Sequence, residues 1–406
     1  MNKTPAVRFI GFAEDWEQRK LGDLGTITTG STPSTAIPDY YSDDGIVWVT
    51  PTDICENITF ESARKLSDLG QQVGRVVPKN TILVTCIASI GKNTMLGNTG
   101  SFNQQINGLT PNENECDPYF LLTESALWSA KMKSSAAAGT MQIVNRTEFS
   151  ELKTWLPSLI EQQVISDFFR QLDHLITLHQ RKYDKLTNVK KSMLEKMFPK
   201  NGSNVPEIRF KGFTDAWEQR KLGEVGKTYS GLSGKTKDDF GHGEAKFVTY
   251  MNVFSNSVCL PNMTEAVEID DKQNKVLFGD VLFTTSSETP EEVGMSSVWL
   301  ENAENIYLNS FCFGYRPTKE FNPYYLAYML RSPSIREKIT FLAQGISRYN
   351  ISKNKMMDIE IPIPSIVEQK QIGEHFRTLD SLITLHHRKL EKLEQIKQAM
   401  LHKMFV

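Results

Sequence analysis

Residues 157–186 read PSLIEQQVISDFFRQLDHLITLHQRKYDKL and residues 364–393 read PSIVEQKQIGEHFRTLDSLITLHHRKLEKL, with eighteen of thirty positions identical at an offset of 207. A second phrase is also duplicated: PAVRFIGFAEDWEQRKLG begins at Pro5 and PEIRFKGFTDAWEQRKLG begins at Pro206, with twelve of eighteen positions identical. The distance between copies is far longer than the period of a solenoid repeat. The chain therefore consists of two copies of one domain-sized unit.

Both copies of the first stretch predict a long helix. Apolar residues recur at helical, heptad-like spacing from Glu161 to Phe198, without proline or glycine, and the stripe returns from Glu368 to Phe405, with only Gly373 near its start. At ~1.5 Å per residue, each helix is about 57 Å long. A globular region lies between the helices in the chain, so we expect an antiparallel coiled coil with one globular domain near each end. The residues expected at the helix-pair interface are Leu172, Ile176, Leu379 and Ile383.

Composition and charge exclude several classes of protein. The 406 residues have an ordinary globular composition and a net charge of −2, which argues against a protein that coats nucleic acid by bulk attraction. The charge is −4 for residues 1–160, +3 for 161–200, −3 for 201–363 and +2 for 364–406. Any DNA contact must therefore come from local patches or from partner subunits. Without a membrane span or a signal-peptide pattern, we expect a cytoplasmic protein.

The cysteines suggest neither disulfides nor a metal site. They are odd in number, far apart and outside any C-x-x-C motif. We interpret all of them as small core residues: Cys55, Cys86, Cys116, Cys259 and Cys312.

The regions between the shared ends combine short strands with helices. GIVWVTPTDI from Gly45 and EAKFVTYMNVF from Glu244 share an aromatic-Val-Thr strand, and NTILVTCIASIGK from Asn80 parallels GDVLFTTSSETPEEVG from Gly279. The helices DPYFLLTESALWSAKM and NPYYLAYMLRSPSIREKI follow. The fold class is therefore α+β, with two pseudo-symmetric globular domains and a pair of long helices. A common frame with different loops indicates two related recognition domains.

Three motifs resemble catalytic or cofactor sites without completing one. Asn322-Pro323-Tyr324-Tyr325 lacks the second proline of the N-P-P-Y motif of DNA amino-methyltransferases and is explained by helix capping. The stretch 231–236 ends like a P-loop, but Tyr229 replaces its first glycine. Paired aspartates at 43–44, 238–239 and 270–271 are interpreted as solvated loop charges. We expect no catalytic residue and no metal site in this chain.

The order of a variable domain, a P-S-x-x-E-Q helix start and a long L-D-x-L-I-T-L-H helix, all repeated once, resembles the specificity subunit of Type I restriction-modification enzymes. The resemblance covers essentially the whole chain. It implies target recognition domains at residues 1–156 and 200–363, a central long helix at 157–199 and a C-terminal long helix at 364–406.

The family also implies the partners. Each domain would read one half of a bipartite double-stranded DNA target, the helices would set the spacing, and exposed helix faces would dock two modification subunits. In the full complex, restriction subunits would join. S-adenosylmethionine, ATP and Mg²⁺ are expected on those partners and not on this non-catalytic chain.

Candidate DNA contacts are polar or basic residues in aligned loops, because amide side chains read adenine and Arg or Lys reads guanine in the major groove. In the first domain they are Ser31, Thr32, Lys92, Asn103, Gln104, Gln105, Thr140, Gln142 and Arg146. In the second they are Ser233, Lys235, Lys237, Ser286, Ser287, Arg348, Tyr349 and Asn350. Since the chain is not basic, a two-domain scaffold that binds only proteins stays open as an alternative.

Overall fold

The computed structural model describes residues 4–87, 89–137, 143–200 and 202–406. The chain divides into two compact units, Met1–His179 with Arg388–Val406, and Gln180–His387. Each unit therefore contains one sheet-rich region and parts of both long helices. None of the described helices combines the length and apolarity that crossing a membrane requires.

The first unit is built on a five-stranded sheet of order β2-β9-β6-β7-β4, beside a three-stranded sheet β5-β3-β8 and a pair β1-β10. Its strands are β1 (Glu17–Lys20), β2 (Gly25–Thr29), β3 (Tyr41–Val49), β4 (Ile58–Thr59), β5 (Lys65–Leu66), β6 (Ile82–Thr85), β7 (Asn93–Leu96), β8 (Gly100–Phe102), β9 (Ile106–Pro111) and β10 (Lys153–Leu156). Its helices are α1 (Asp68–Val73), α2 (Pro118–Ala137), α3 (Arg146–Glu151) and the beginning of α4 (Leu159–Lys196).

The second unit repeats this frame with a four-stranded sheet β12-β19-β15-β17, a three-stranded sheet β14-β13-β18 and the pairs β11-β21 and β16-β20. Its strands are β11 (Glu218–Lys221), β12 (Gly226–Ser230), β13 (Phe240–Val248), β14 (Thr264–Val267), β15 (Val281–Thr284), β16 (Ser286–Ser287), β17 (Ser296–Val298), β18 (Ile306–Leu308), β19 (Cys312–Pro317), β20 (Tyr349–Asn350) and β21 (Glu360–Ile363). Its helices are α5 (Leu222–Val225), α6 (Tyr250–Ser255), α7 (Pro323–Met329), α8 (Pro333–Phe341), α9 (Lys353–Met357) and the beginning of α10 (Ile366–Met404).

The two long helices pack together, as the heptad spacing predicts. In the first unit Lys397 of α10 pairs with Asp173 of α4 at 2.6 Å. In the second unit Lys190 of α4 pairs with Asp380 of α10 at 2.5 Å. These pairs are related by the repeat offset of 207. In the second unit Tyr183 of α4 also contacts His387 of α10, with ring centroids 5.5 Å apart, so the contacting residue number falls along α10 as it rises along α4. The predicted antiparallel arrangement is therefore confirmed.

The residues expected between the helices differ in burial. Leu172 and Leu379 are buried, whereas Ile176 and Ile383 are half-buried.

The repeated phrases are held together by an equivalent contact in each unit. Arg8 of the opening phrase donates to both carboxylate oxygens of Glu161 in α4, at 2.6 and 2.7 Å. Arg209 makes the same fork to Glu368 in α10, at 2.6 and 2.8 Å. Both glutamates are almost fully buried. A bidentate Arg–carboxylate pair of this kind fixes geometry as well as charge, so identical residues at these positions follow from a shared structural task.

The glutamine after each of these glutamates ties the long helix to the sheet-rich region. Gln162 accepts a hydrogen bond from the Asp117 backbone N–H at 2.9 Å and donates to the Pro157 carbonyl at 3.0 Å. Gln369 accepts from the Asn322 N–H at 3.0 Å and donates to the Pro364 carbonyl at 3.0 Å. The Glu-Gln pair at the start of each helix is thus structural.

The tryptophan of WEQRKLG lies in the core of each unit, against the phenylalanine that follows a long helix. In the first unit Trp16 packs edge-on against Phe405, with ring centroids 6.1 Å apart. In the second unit Trp217 packs against Phe198 at 6.4 Å. Such edge-to-face pairs of buried rings add to the free energy gained by burial.

The chain ends meet as pseudo-symmetry requires. The Val7 N–H donates to the Lys403 carbonyl at 2.8 Å, and the Ile208 N–H donates to the Lys196 carbonyl at 3.0 Å. The second contact joins segments linked by a short connection, whereas the first joins the two ends of the chain. Residues near the two ends of the sequence therefore lie side by side in the first unit.

Candidate nucleic-acid interface

The loops that carry most of the candidate residues converge at one edge of the central sheet in each unit. In the first unit the antiparallel order of the sheet brings together the end of β2, the start of β9, the end of β6 and the start of β7. We call this edge the first loop edge; it comprises residues 30–32, 86–87, 89–92, 103–105 and 143–146. The second loop edge is equivalent and comprises residues 231–237, 285–295, 309–311 and 346–351.

Backbone hydrogen bonds fix the first loop edge. The Ser31 N–H donates to the Phe102 carbonyl at 2.9 Å, and the Cys86 N–H donates to the Gln105 carbonyl at 2.8 Å. The chain after β2 passes so close to the neighbouring loop that a Cβ on Gly30 would lie 2.1 Å from the Asn103 carbonyl oxygen. Glycine is required there by this close approach.

Most of the predicted contact residues of the first unit lie on this edge. Thr32 is exposed and donates to the side-chain oxygen of Gln104. Asn103 is buried at the base of the turn, and Gln105 is half-exposed beside it. Lys92 donates to the Pro51 carbonyl at 3.1 Å, and Arg146 is exposed at the start of α3. Thr140 and Gln142 lie outside the described residues.

A β-pair closes part of the second loop edge. Ser286 pairs with Asn350 and Ser287 pairs with Tyr349 in an antiparallel register. The structure thus brings four predicted residues together, next to the exposed Arg348. The exposure expected of loop residues is wrong for the two serines, which are buried because they form β16. The hydroxyl of Tyr250 donates to the Ser286 carbonyl at 2.7 Å, and burial raises the pKa of this tyrosine.

The remaining candidates of the second unit follow β12. Ser233 and Lys237 are exposed, but Lys235 pairs with Asp270 at 2.9 Å. The hydrogen bond from Lys235 lowers the pKa of Asp270 to about 2. Asp270 is therefore not a free loop charge, because a lysine 35 positions earlier neutralises it.

The motifs that resembled enzyme sites have structural roles. Asn322 accepts a hydrogen bond from the Tyr325 N–H at 3.0 Å, so it is a helix cap as predicted. Asp117, at the equivalent place in the first unit, accepts from the Phe120 N–H at 2.9 Å and caps α2 in the same way. Four cysteines are buried, but Cys55 is exposed, which corrects its assignment to the core. Within the described ranges, no group of three His, Cys, Asp or Glu side chains could hold a metal ion.

Comparison with known proteins identifies this arrangement. The family model of the Type I restriction modification DNA specificity domain matches twice, at residues 13–188 and 214–395. The chain belongs to this family. It is a specificity subunit with two target recognition domains, and the specificity subunit is itself non-catalytic. The alternative of a scaffold that binds only proteins is therefore wrong.

Individual relatives agree in sequence and in fold. The specificity subunit of the type I restriction enzyme MjaIX of Methanocaldococcus jannaschii is 26% identical over 307 residues, which cover 70% of this chain and 69% of the relative. The crystal structure of the S subunit from M. genitalium has a TM-score of 0.59 at 15% identity and covers 99% of both chains. A structure from work on assembly and conformational transition of the type I system has a TM-score of 0.53 at 17% identity, covering 96% of this chain and 97% of that one.

Two exposed residues of this specificity subunit lie at the loop edges but are not among the predicted DNA contacts. Arg75 donates from its side chain to the Thr29 carbonyl at 2.6 Å and from its backbone to the Ser31 hydroxyl at 3.0 Å, which places a guanidinium on the first loop edge. Phe311 lies on the second loop edge with 58% of its surface exposed. Arg75 follows α1 and aligns with no candidate loop, so nothing in the sequence pattern reveals it. Phe311 could have been found by aligning Asn103-Gln104-Gln105 with Asn309-Ser310-Phe311.

Proposed function

We propose that each loop edge reads one half of a bipartite double-stranded DNA target and that the paired helices set the distance between the half-sites. One observation carries this proposal: the two edges are built on the same backbone frame but present different side chains. Two domains that recognised the same DNA sequence would be expected to carry identical loops. Two domains that recognise different sequences need the same backbone but different base contacts. Under this proposal residues 1–156 and 200–363 are the recognition domains, and 157–199 and 364–406 are the connecting helices.

The candidate residues divide by chemistry into two roles. Arg75, Lys92 and Arg146 on the first edge, with Arg348 and Lys237 on the second, supply cations for phosphate or guanine. The amides of Gln104, Gln105 and Asn350 match the donor–acceptor pair of adenine. The charge of Lys235 is already paired with Asp270, so this lysine supports a loop and does not contact phosphate.

Exposed leucines on the long helices support a docking site for two modification subunits on these helices. Leu175 and Leu178 of α4 are exposed in the first unit, and Leu382 and Leu385 of α10, at the same repeat positions, are exposed in the second. Apolar side chains facing solvent at equivalent places in both units fit two copies of one partner. Restriction subunits join in the full complex. S-adenosylmethionine binds to the modification subunits, and ATP and Mg²⁺ bind to the restriction subunits.

The spacing role is tested by inserting four residues after Lys185. The insertion lengthens α4 by ~6 Å, close to two base pairs of B-DNA, and nearly preserves the apolar stripe. We expect both half-sites to keep their sequence while the preferred gap grows by one or two base pairs, as measured by methylome sequencing of cells that carry the variant and its modification subunit.

The control insertion places the same four residues after Lys200, in the connection between α4 and the second opening phrase, where it leaves the length of α4 unchanged. An unchanged gap combined with altered bases inside a half-site would contradict the spacing role.

A further inference from the structure

One turn has the same backbone in both units and presents a different residue in each. In the first unit the Gln105 N–H donates to the Asn103 side-chain oxygen at 3.1 Å, and the Gln105 carbonyl accepts from the Cys86 N–H at 2.8 Å. In the second unit the Phe311 N–H donates to the Asn309 side-chain oxygen at 2.8 Å, and the Phe311 carbonyl accepts from the Thr285 N–H at 2.9 Å. This Asx-turn directly precedes β9 and β19.

The two presented side chains differ completely in chemistry. Gln105 carries an amide whose oxygen accepts from the Asn103 amide at 3.2 Å, so its orientation is supported by its own turn. Phe311 has no hydrogen-bonding group in its side chain, and the hydroxyl of Thr285 donates to its carbonyl at 2.8 Å as a third restraint on its backbone. A single exposed phenylalanine needs no explanation. The backbone of Phe311, however, is fixed by three hydrogen bonds, and the equivalent residue of the other domain is an amide. We therefore interpret Phe311 as a functional residue.

We propose that this position reads a base in both domains, and that Phe311 contacts the 5-methyl group of a thymine in the major groove. The inference rests on the proposed function, in which the second loop edge faces DNA. Thymine is the one base that presents an apolar group in the major groove, and apolar side chains are its ordinary partners. Gln105, at the equivalent position, reads adenine through its amide.

The rigid turn explains why one frame serves both readings. The asparagine at its first position and the strand that follows fix the main chain, so the presented residue is exchanged without disturbing the sheet. A flexible loop would lose conformational entropy on binding, whereas this turn is already ordered. Specificity at this position then depends on one side chain.

The test compares thymine with deoxyuridine, which lacks only the methyl group. The purified complex of the full chain with its modification subunits is bound to duplexes carrying the methylome-defined target, with each thymine replaced in turn and the salt concentration held constant. We expect one thymine, in one half-site, whose replacement weakens binding about fourfold, the effect of removing one buried methyl-sized group. Phe311→Ala should bind the two duplexes equally at that position and discriminate normally at every other.

Two control variants make the result specific. Phe341→Ala removes an even more exposed phenylalanine, which lies in the groove beside α9 and β21 and is not one of the residues of the second loop edge, and it should respond to deoxyuridine as the wild type does. Gln105→Ala should alter recognition only in the other half-site. Phe311 is exposed, so its replacement leaves the core intact, and hydrogen exchange of β19 checks this.

Several results would overturn the assignment. Equal responses of wild type and Phe311→Ala at every thymine would show that Phe311 reads no methyl group. Uniformly weaker binding of Phe311→Ala, without any deoxyuridine effect, would indicate stacking on a base instead. In both cases the wild-type complex still prefers its target, so the proposed function survives. A wild-type complex without sequence preference would refute the proposed function and this inference together.

Discussion

Phe405 closes the first unit, and its replacement by alanine tests how that unit is held together. The ring is buried, with its centroid 5.3 Å from Phe120, 5.8 Å from Phe169 and 6.1 Å from Trp16. Truncation of a buried phenylalanine to alanine costs about 3–5 kcal/mol. Phe405 lies just beyond the end of α10, where the backbone is not held by the helix, so the cavity can partly collapse, and we take the lower end, about 3 kcal/mol. This corresponds to roughly a hundredfold more frequent opening of the contact.

Phe198 provides the matched control in the second unit. Its ring lies 5.8 Å from both Tyr325 and Phe376 and 6.4 Å from Trp217. The contacts are equivalent to those of Phe405, so Phe198→Ala should produce a cavity of similar size in the second unit.

Hydrogen exchange measured by mass spectrometry on the full chain distinguishes the two variants. A single unfolding free energy is poorly defined for a chain of two units, whereas exchange reports each segment separately. Phe405→Ala should raise exchange in peptides covering residues 16–21 and leave residues 217–222 unchanged, and Phe198→Ala should do the reverse. Unchanged exchange at 16–21 in Phe405→Ala, or equal increases in both peptides, would refute the view that each helix end closes its own unit.

Two further perturbations act inside the first unit. Arg8→Met leaves the carboxylate of Glu161 buried without its cation and should destabilise the unit by about 3–5 kcal/mol. Adding Glu161→Leu should restore most of this stability. A double variant whose midpoint temperature of unfolding is no higher than that of Arg8→Met would contradict the reasoning. Burial raises the pKa of Glu124 to about 7, so the folded state holds its proton more tightly than the unfolded state, whose pKa is ~4.3. This contribution to stability is present below pH ~4.3 and is lost as the pH rises to about 7. Glu124→Gln should therefore flatten the decline in stability over that range, by up to about 4 kcal/mol. A denaturation series with the same pH slope as the wild type would exclude the assignment.

The helices and their pairing are predictable because the information is local and repeated. An apolar heptad stripe that is long and almost free of proline and glycine predicts a helix from local sequence alone. Two copies of one stripe also predict that the two helices pack against each other. The structure places α4 at Leu159–Lys196 and α10 at Ile366–Met404, within two residues of the apolar stripes Glu161–Phe198 and Glu368–Phe405. The meeting of the chain ends follows from the same symmetry.

The loop edges resist prediction because tertiary contacts decide which side chains are available. Alignment points to Ser286 as a loop residue, but pairing with Asn350 buries it. Lys235 looks like a free cation until the fold brings Asp270 beside it. The candidate contacts are restricted to polar and basic residues, which excludes Phe311 although its turn aligns with that of Gln105. A sequence pattern does not reveal whether a loop side chain is exposed, because its exposure depends on strands that are distant in sequence.

The duplicated WEQRKLG phrase is explained by where its partners come from. Trp16 belongs to the first copy of the repeat, and the phenylalanine against it, Phe405, belongs to the second; Trp217 and Phe198 are related in the opposite sense. Each opening phrase therefore packs against the helix end of the other copy. A change in the first phrase must suit a helix end near the other end of the sequence, a change in the second must suit the helix end that shortly precedes it, and both contacts share one geometry. The two turns that we propose to read bases are each held within their own unit, so Gln105 and Phe311 can differ on one unchanged frame.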